Sequence, residues 1–405
     1  MTEQYRYSAV MTFMNNRREA QEISMDVIQF IVIDKDYENN IMPVITTSIL
    51  LDSKLRDKMI LEMDDSIVSL QIYKFNKDED DRIGQTILND IFVYMIPGDI
   101  SHSQDMDYKD EIDEENPPRI PTTVYLIKRD SINNNRQVIN CVNRFTYDKN
   151  IKKQISMTDM VMRTSAYLRP LLLEPITNNK SFDEIVIPPL SSLSDYVNYL
   201  NDNICSLYPT GYRFFMDFDT NYIISKSGKK VEHKDQNYHS VIIDIGEKSN
   251  LNYAVDGNLY NSENRFYHVP VSIAMAKFQR NITAKHLVTQ VACIDSSGTA
   301  FSEDVSDTSA NIKEKLSIMQ STTSNSGIID NVKNDVVNGS LVIDIVKPNL
   351  DASIFTINKE YIINNTEEYK DYDGRYLICC AKQFFIKEED GFAMNSLMRF
   401  KKISQ

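Results

Sequence analysis

The chain has 405 residues, 42% hydrophobic and 10% aromatic, with 58 acidic against 44 basic side chains and a formal net charge of −14. That length is too great for one compact core and predicts roughly two to four domains, while the composition excludes general disorder. A surface of this sign repels nucleic acid, and no apolar run approaches the roughly 20 residues of a membrane helix.

The first 97 residues are read mostly as strands. "YSAVMTFM", "ISMDVIQFIVID", "PVITTSILL", "IVSLQIYKF" and "DIFVYMI" are β-rich runs separated by charged or Asn/Asp turns. "DSKLRDKMIL" reads as one short helix capped by Asp52, with Leu55, Met59 and Ile60 facing inward. Ser101 to Pro121 is acidic and ends in prolines, as an exposed loop would. Strands are expected again at "TTVYLIKRD" and "RQVINCVNRFTYD", with "SINNN" as the turn of a hairpin that closes the first β domain.

A helical section follows. "SMTDMVMRTSAYLRPLLLEP" carries a Ser156 cap and Met157, Met160, Val161 and Tyr167 at helical spacing, until Pro170 ends or kinks it. In "PPLSSLSDYVNYLNDNICSLYP", Ser192 caps with Asp195 three places on, and Leu193, Val197, Leu200 and Ile204 form one apolar stripe.

The next stretch, "GYRFFMDFDTNYIISKSGKK", admits two readings. Asp217, Asp219 and Asn221 stand at every second position, as the first ligands of a calcium loop do. Such a loop needs glycine at its sixth place and a bidentate glutamate at its twelfth, and those places hold Tyr222 and Gly228. Two β-rich runs around a short Asp/Asn connection instead make a hairpin, which is the preferred reading. Helix and hairpin together predict an α+β subdomain.

"HSVIIDIG", "NRFYHVPVSIAM" and "KHLVTQVACID" continue as strands. Ser296 to Asn338 is rich in Ser, Thr, Asn and Asp and reads as an insertion or arm with one helical piece around "SANIKEKLSIM", or as a partner-binding loop. "SLVIDIVKPNL", "IFTINKEYIIN", "GRYLICCAKQFFIKE" and "GFAMNSLMRFKKI" close the chain as a sheet. No internal repeat is visible.

Chemistry is hard to find in this sequence. The histidines, His102, His233, His239, His268 and His286, form no HxxxH or HExxH pair. Five scattered cysteines, Cys141, Cys205, Cys293 and the vicinal Cys379–Cys380, read as buried free thiols. No GxSxG, GxGxxG or phosphate-binding loop occurs among only eleven glycines. Glycosidase sites pair two carboxyls in a cleft, usually with aromatic sugar platforms, and this chain has no tryptophan. No catalytic, cofactor-binding or metal-ligating residue is assigned, no cofactor is expected, and the chain is read as a non-enzyme.

The segments "FDEIVIPPLSSLSDYVNYLNDN", "LYPTGYRFFMDFDTNYIISKSGK" and the closing stretch from "KPNLDASIF" to "MRFKKI", with its "YDGRY" turn at Tyr372 to Tyr376, resemble baseplate hub proteins of contractile-tailed bacteriophages. The likeness covers about half the chain and is one of order and composition. With it, the expected fold class is α+β, mainly β, with tube-like β-barrel or sandwich domains and a smaller α+β subdomain. The expected divisions are 1–150, a tube-like β domain with the acidic loop 101–121; 151–235, the helix-and-hairpin subdomain; and 236–405, a second barrel-like β domain carrying the insertion 296–338. The resemblance implies a homotrimer in the tail baseplate of a virion, with tail tube protein, central spike and other baseplate proteins as partners. It implies transient DNA passage through a ring, genome ejection, synthesis in the host cytoplasm and no membrane insertion. A tail-associated wall-degrading enzyme, or a tube initiator or wedge subunit, are the alternatives.

Overall fold

A computed structural model describes residues 5–76, 84–97, 119–136, 155–156, 168, 170–176, 181–182, 191–202, 208, 212–225, 240–247, 259–261, 266–280, 288–295, 300–304, 314–321, 341–350 and 354–404. Strands dominate, and the chain has the mainly β, α+β fold expected from its sequence.

The first seven strands are β1 (Tyr5–Met14), β2 (Ala20–Ile23), β3 (Ile28–Asp36), β4 (Val44–Asp52), β5 (Ile67–Asn76), β6 (Gln85–Met95) and β7 (Arg119–Lys128). Successive side chains of a strand point to opposite faces, so an alternating sequence buries one row. On β1 that row is Tyr7, Ala9, Met11 and Phe13; on β4 it is Ile45, Thr47, Ile49 and Leu51. The strands pair antiparallel in the order β3-β4-β7-β6-β5-β1, and their inward rows meet in one core. The acidic stretch stops short of its expected end, because Arg119 to Pro121 already pair with Asp52 to Leu50.

Two strands from the far end of the sequence complete this unit. β22 (Gly374–Glu388) pairs β3 through Phe30 to Asp36, and β23 (Gly391–Ser404) pairs β22 along its length and meets β1 at Tyr7↔Phe392. The path β22-β3-β4-β7-β6-β5-β1-β23 therefore closes on itself as a ring of eight strands. Barrels of about eight strands are filled by side chains, as this one is by Phe13, Phe92, Phe385 and their neighbours. Closure requires Gly391, whose φ is +140°, because a side chain there would place its Cβ 2.6 Å from the Tyr7 carbonyl oxygen.

Helix α1 (Ser53–Leu61) starts where the Asp52 carboxylate accepts the Leu55 N–H at 2.8 Å. Leu55 and Met59, four apart, face the barrel. Ile60 does not: one further residue turns it about 100° around the helix, and it is 37% exposed. Residues 129–135 form helix α2 (Arg129–Asn135) and not the expected hairpin turn. Its Asn-rich sequence has weak helix propensity, but α2 is anchored to the next helix by Asn135, which accepts the Ser194 N–H at 3.0 Å. The strand expected at "RQVINCVNRFTYD" falls almost wholly outside the described residues, as does the helix expected from Met157 to Tyr167.

Short strands β8 (Ile155–Ser156) and β10 (Ser181–Phe182) pair with each other, while β9 (Leu171–Leu173) lies parallel to β12 (Asn221–Ser225), the partner of β11 (Tyr212–Met216). Helix α3 (Leu193–Asp202) carries the expected reciprocal cap, in which the Ser192 Oγ accepts the Asp195 N–H and Asp195 accepts the Ser192 N–H. Its Leu193, Tyr196, Val197 and Leu200 pack on Phe214, Met216 and Ile223 of the hairpin. The opposite face of the hairpin, Phe215, Tyr222 and Ile224, enters a different core. Ile204, expected in the α3 stripe, lies outside the described residues.

That second core lies under β13 (Ser240–Gly246), β15 (Phe266–Ser272), β16 (Ala276–Arg280), β20 (Leu341–Pro348) and β21 (Glu360–Asn364), with β14 (Leu259–Asn261) paired beyond β15. They extend the same sheet from both sides of the β22–β23 hairpin: β14-β15-β13-β21 joins β22, and β20-β16 joins β23. A separate three-stranded sheet contains β17 (Val288–Asp295), β18 (Ala300–Asp304) and β19 (Glu314–Ser321). β19 overturns the helix expected around "SANIKEKLSIM": Leu316 and Ile318 are two residues apart, which suits a strand, and parallel pairing with β17 decides the matter.

Candidate functional site

The three oxygen side chains that suggested a calcium loop are turned to separate tasks. Asp217 is buried and accepts from Lys35 Nζ at 2.7 and 2.9 Å through its two oxygens. Asn221 Nδ2 donates to the Pro170 carbonyl at 3.1 Å, and Asp219 is exposed. Asp217 N–H donates to the Thr220 carbonyl at 3.0 Å, so Asp217 to Thr220 is the turn of the β11–β12 hairpin. Among the described residues no three His, Cys, Asp or Glu side chains converge as metal ligands.

The remaining titratable groups of interest are also engaged. His268 Nδ1 stands 2.7 Å from Asp244 on the neighbouring strand, and Asn364 Nδ2 donates to the same carboxylate at 2.8 Å. This polar row crosses β15, β13 and β21. Cys379 and Cys380 are buried free thiols, as expected, and burial pushes both thiol pKa values up, that of Cys380 to about 12. Neither has the lowered pKa of a nucleophilic cysteine. The buried Glu174 carboxylate accepts from Ser225 N and Oγ at 2.7 and 2.9 Å and ties β9 to β12. His102, His233, His239, His286, Cys141 and Cys205 lie outside the described residues.

Surfaces are more informative. On the outside of the closed barrel, the register sets Ile386 beside Phe30, Phe384 beside Val32 and Met95 beside Tyr125. Met95 is 54% and Ile386 50% exposed, and an ion pair, Lys382 with Asp34 at 2.6 Å, lies at the strip's margin. The strip is apolar in two groups, at β22–β3 and at β7–β6, with Thr46 and Ser48 of β4 between them, and exposed apolar groups of this kind are candidates for a contact surface. Two strand edges are also open: among the described residues β14 pairs only with β15, and β16 only with β20. β16 is held firmly nonetheless, because Phe278 stacks on Tyr369 with ring centroids 4.2 Å apart. Sequence reasoning found these strands but not the surfaces, since an outward row of mixed Phe, Val, Thr and Ser gives no distinct signal.

No protein-family model and no curated protein sequence matches the chain. Solved structures do. A tail protein from Neisseria meningitidis MC58 matches with a TM-score of 0.51 at 9% identity, covering 98% of this chain and 97% of that one. The 43 kDa tail protein of prophage MuSo2 from Shewanella oneidensis matches with a TM-score of 0.52 at 8% identity, covering 98% and 96%. The chain thus has the fold of phage tail proteins over nearly its whole length, in keeping with the resemblance seen in its sequence.

Proposed function

We propose that this chain is a structural subunit of a phage tail baseplate hub, assembling as a homotrimer that joins the tail tube to the central spike. The observation that carries the proposal is the fold match to tail proteins along almost the entire length of both partners. The geometry supports it in three ways. The edges of β14 and β16, which no described strand covers, are templates for pairing with another chain. The two apolar groups on the outer strip, at β22–β3 and at β7–β6, are further candidates for contact with a partner. The closed barrel is packed solid, so a conduit for DNA runs between copies and not through one of them. With 14 more negative than positive charges per chain, a ring of copies offers a wall from which DNA slides rather than sticks.

The test is the mass of the purified chain in solution, followed by imaging. Three copies of the 46.8 kDa chain, about 140 kDa, in a ring with a central hole is the expected result. A monomer at micromolar concentration with no affinity for tail tube protein overturns it. Six copies per particle instead of three assigns the chain to a tube initiator or wedge. Turnover of purified peptidoglycan, abolished by replacing one carboxylate pair, assigns it to wall degradation.

A further inference from the structure

A cleft of about 330 Å3 opens where three parts of the molecule meet: the turn Tyr37 to Ile41 between β3 and β4, the α3–β11 layer, and the β22–β23 hairpin. Its volume is at the lower end for a binding pocket. Arg213, the second residue of β11, forms part of its wall and is only 7% exposed. One guanidinium nitrogen, Nη2, donates to the Ile378 carbonyl. The Tyr37 ring lies against the group, 5.7 Å from Cζ to its centroid. The other terminal nitrogen, Nη1, is buried and has no hydrogen-bond partner. Among the described residues no ion pair includes Arg213.

A buried guanidinium is costly unless a counter-charge satisfies it, and among the described residues none forms an ion pair with it. Burial pushes its pKa down, and the groups that oppose this are Cys379, Tyr37, Glu38 and Tyr361. Cys379 and Tyr37 are themselves held protonated by burial, so they bring no negative charge. Glu38 does: it is exposed on the turn, yet its carboxylate reaches the Cys379 thiol at the cleft, and it forms no ion pair with Arg213. Lys401 and Lys402 line the same cleft, and the Lys402 ammonium donates to the Asp371 carbonyl at 2.7 Å. The cleft is therefore cationic in a chain that is strongly anionic overall.

We propose that this cleft is a socket for an acidic side chain of a neighbouring protein chain, whose carboxylate pairs with Arg213. A planar carboxylate matches the guanidinium fork, and in a site screened from water that pairing is strong. The rim argues for a protein donor. Asn39, Asn40 and Asn198 line the opening; Asn39 Nδ2 donates to Asp36 and Asn198 Oδ1 accepts from the Tyr212 hydroxyl, which leaves the rest of their amide capacity for a peptide main chain. Nucleic acid is disfavoured, because Glu38 and the net charge repel a polyanion. The inference rests on the reading that the chain works inside an assembly, and adds the chemistry of one contact.

The test uses the full chain and measures binding by calorimetry at low, matched ionic strength. The probes are the blocked tripeptide Ala-Glu-Ala, its Ala-Gln-Ala counterpart, and propionate. Saturable binding of the Glu peptide is expected, with the Gln peptide and propionate each at least about ten-fold weaker. Arg213→Met is expected to abolish it, and Glu38→Gln, at an exposed position where folding is not at stake, to tighten it about two- to five-fold. Equal binding of the Gln peptide, unchanged binding in a folded Arg213→Met protein, or unchanged affinity in Glu38→Gln overturns the socket. Propionate binding as tightly as the peptide overturns the protein donor. Because the chain's mass is read from the same sample, loss of peptide binding by an intact trimer is distinguished from absence of the trimer.

Discussion

Asp217 shows how one side chain converts a turn into a joint between layers. Its carboxylate is buried, bonded to Lys35 of the barrel, and also accepts the Phe218 N–H at 2.8 Å. Lys35 in turn lies over the Phe218 ring, 5.3 Å from its centroid. Removing the Asp217 charge leaves Lys35 partly buried and uncompensated. Asp217→Asn is therefore expected to lower stability by about 3 kcal/mol, because asparagine keeps the turn's acceptor but not the charge. Urea unfolding of the two proteins measures it, and a loss below roughly 0.5 kcal/mol, the scale of an exposed substitution, contradicts the assignment. The hairpin itself was legible, since strand-forming runs flanked a short Asp-containing link. The partner of Asp217 was not, because Lys35 is 182 residues away. Arg213 was equally hidden: a lone arginine in "YRFFM" looks like an outward-facing residue, until both faces of the hairpin prove to be covered.

The β22–β23 hairpin is the element on which both large cores depend. Its strands have 15 and 14 residues, about 50 Å of extended chain. Near their linking turn they finish the barrel, and further along, Tyr376, Ile378, Met398 and Phe400 belong to the second core. Consecutive residues of β22 give a direct check on this geometry. Phe385 is 1% exposed and meets Tyr7 edge to face at 5.4 Å, whereas Ile386 lies on the outer strip. Phe385→Ala is expected to cost about 3–5 kcal/mol and Ile386→Ala under about 1 kcal/mol in the separated chain, read from denaturant midpoints. Similar losses at both positions contradict the register. Most strands were legible because period-two burial is written in local sequence, as in β1 and β4. α2 and β19 were not, because tertiary pairing outweighed weak local preference.

For the whole molecule, the shared hairpin couples regions that the sequence keeps far apart. Local patterning shows that residues 374–404 are strands, but it carries no mark that they belong beside β1 and β3. Loss of the hairpin's pairing opens the barrel and at once parts the strands that cover the second core. Differential scanning calorimetry is therefore expected to show the two cores melting in one transition, and Phe385→Ala to move all of it. Two resolved transitions, only one of them shifted, contradict the coupling.

Gly391 and the strands around it impose a schedule on the ribosome. β7 is finished at Lys128, yet the strands that close its barrel begin at Gly374. At about 5–20 residues per second, translation takes tens of seconds to bridge that interval. Throughout it, β3 and the first half of β1, which β2 does not cover, stand as unpaired margins on the nascent chain, open to neighbours on the same polysome.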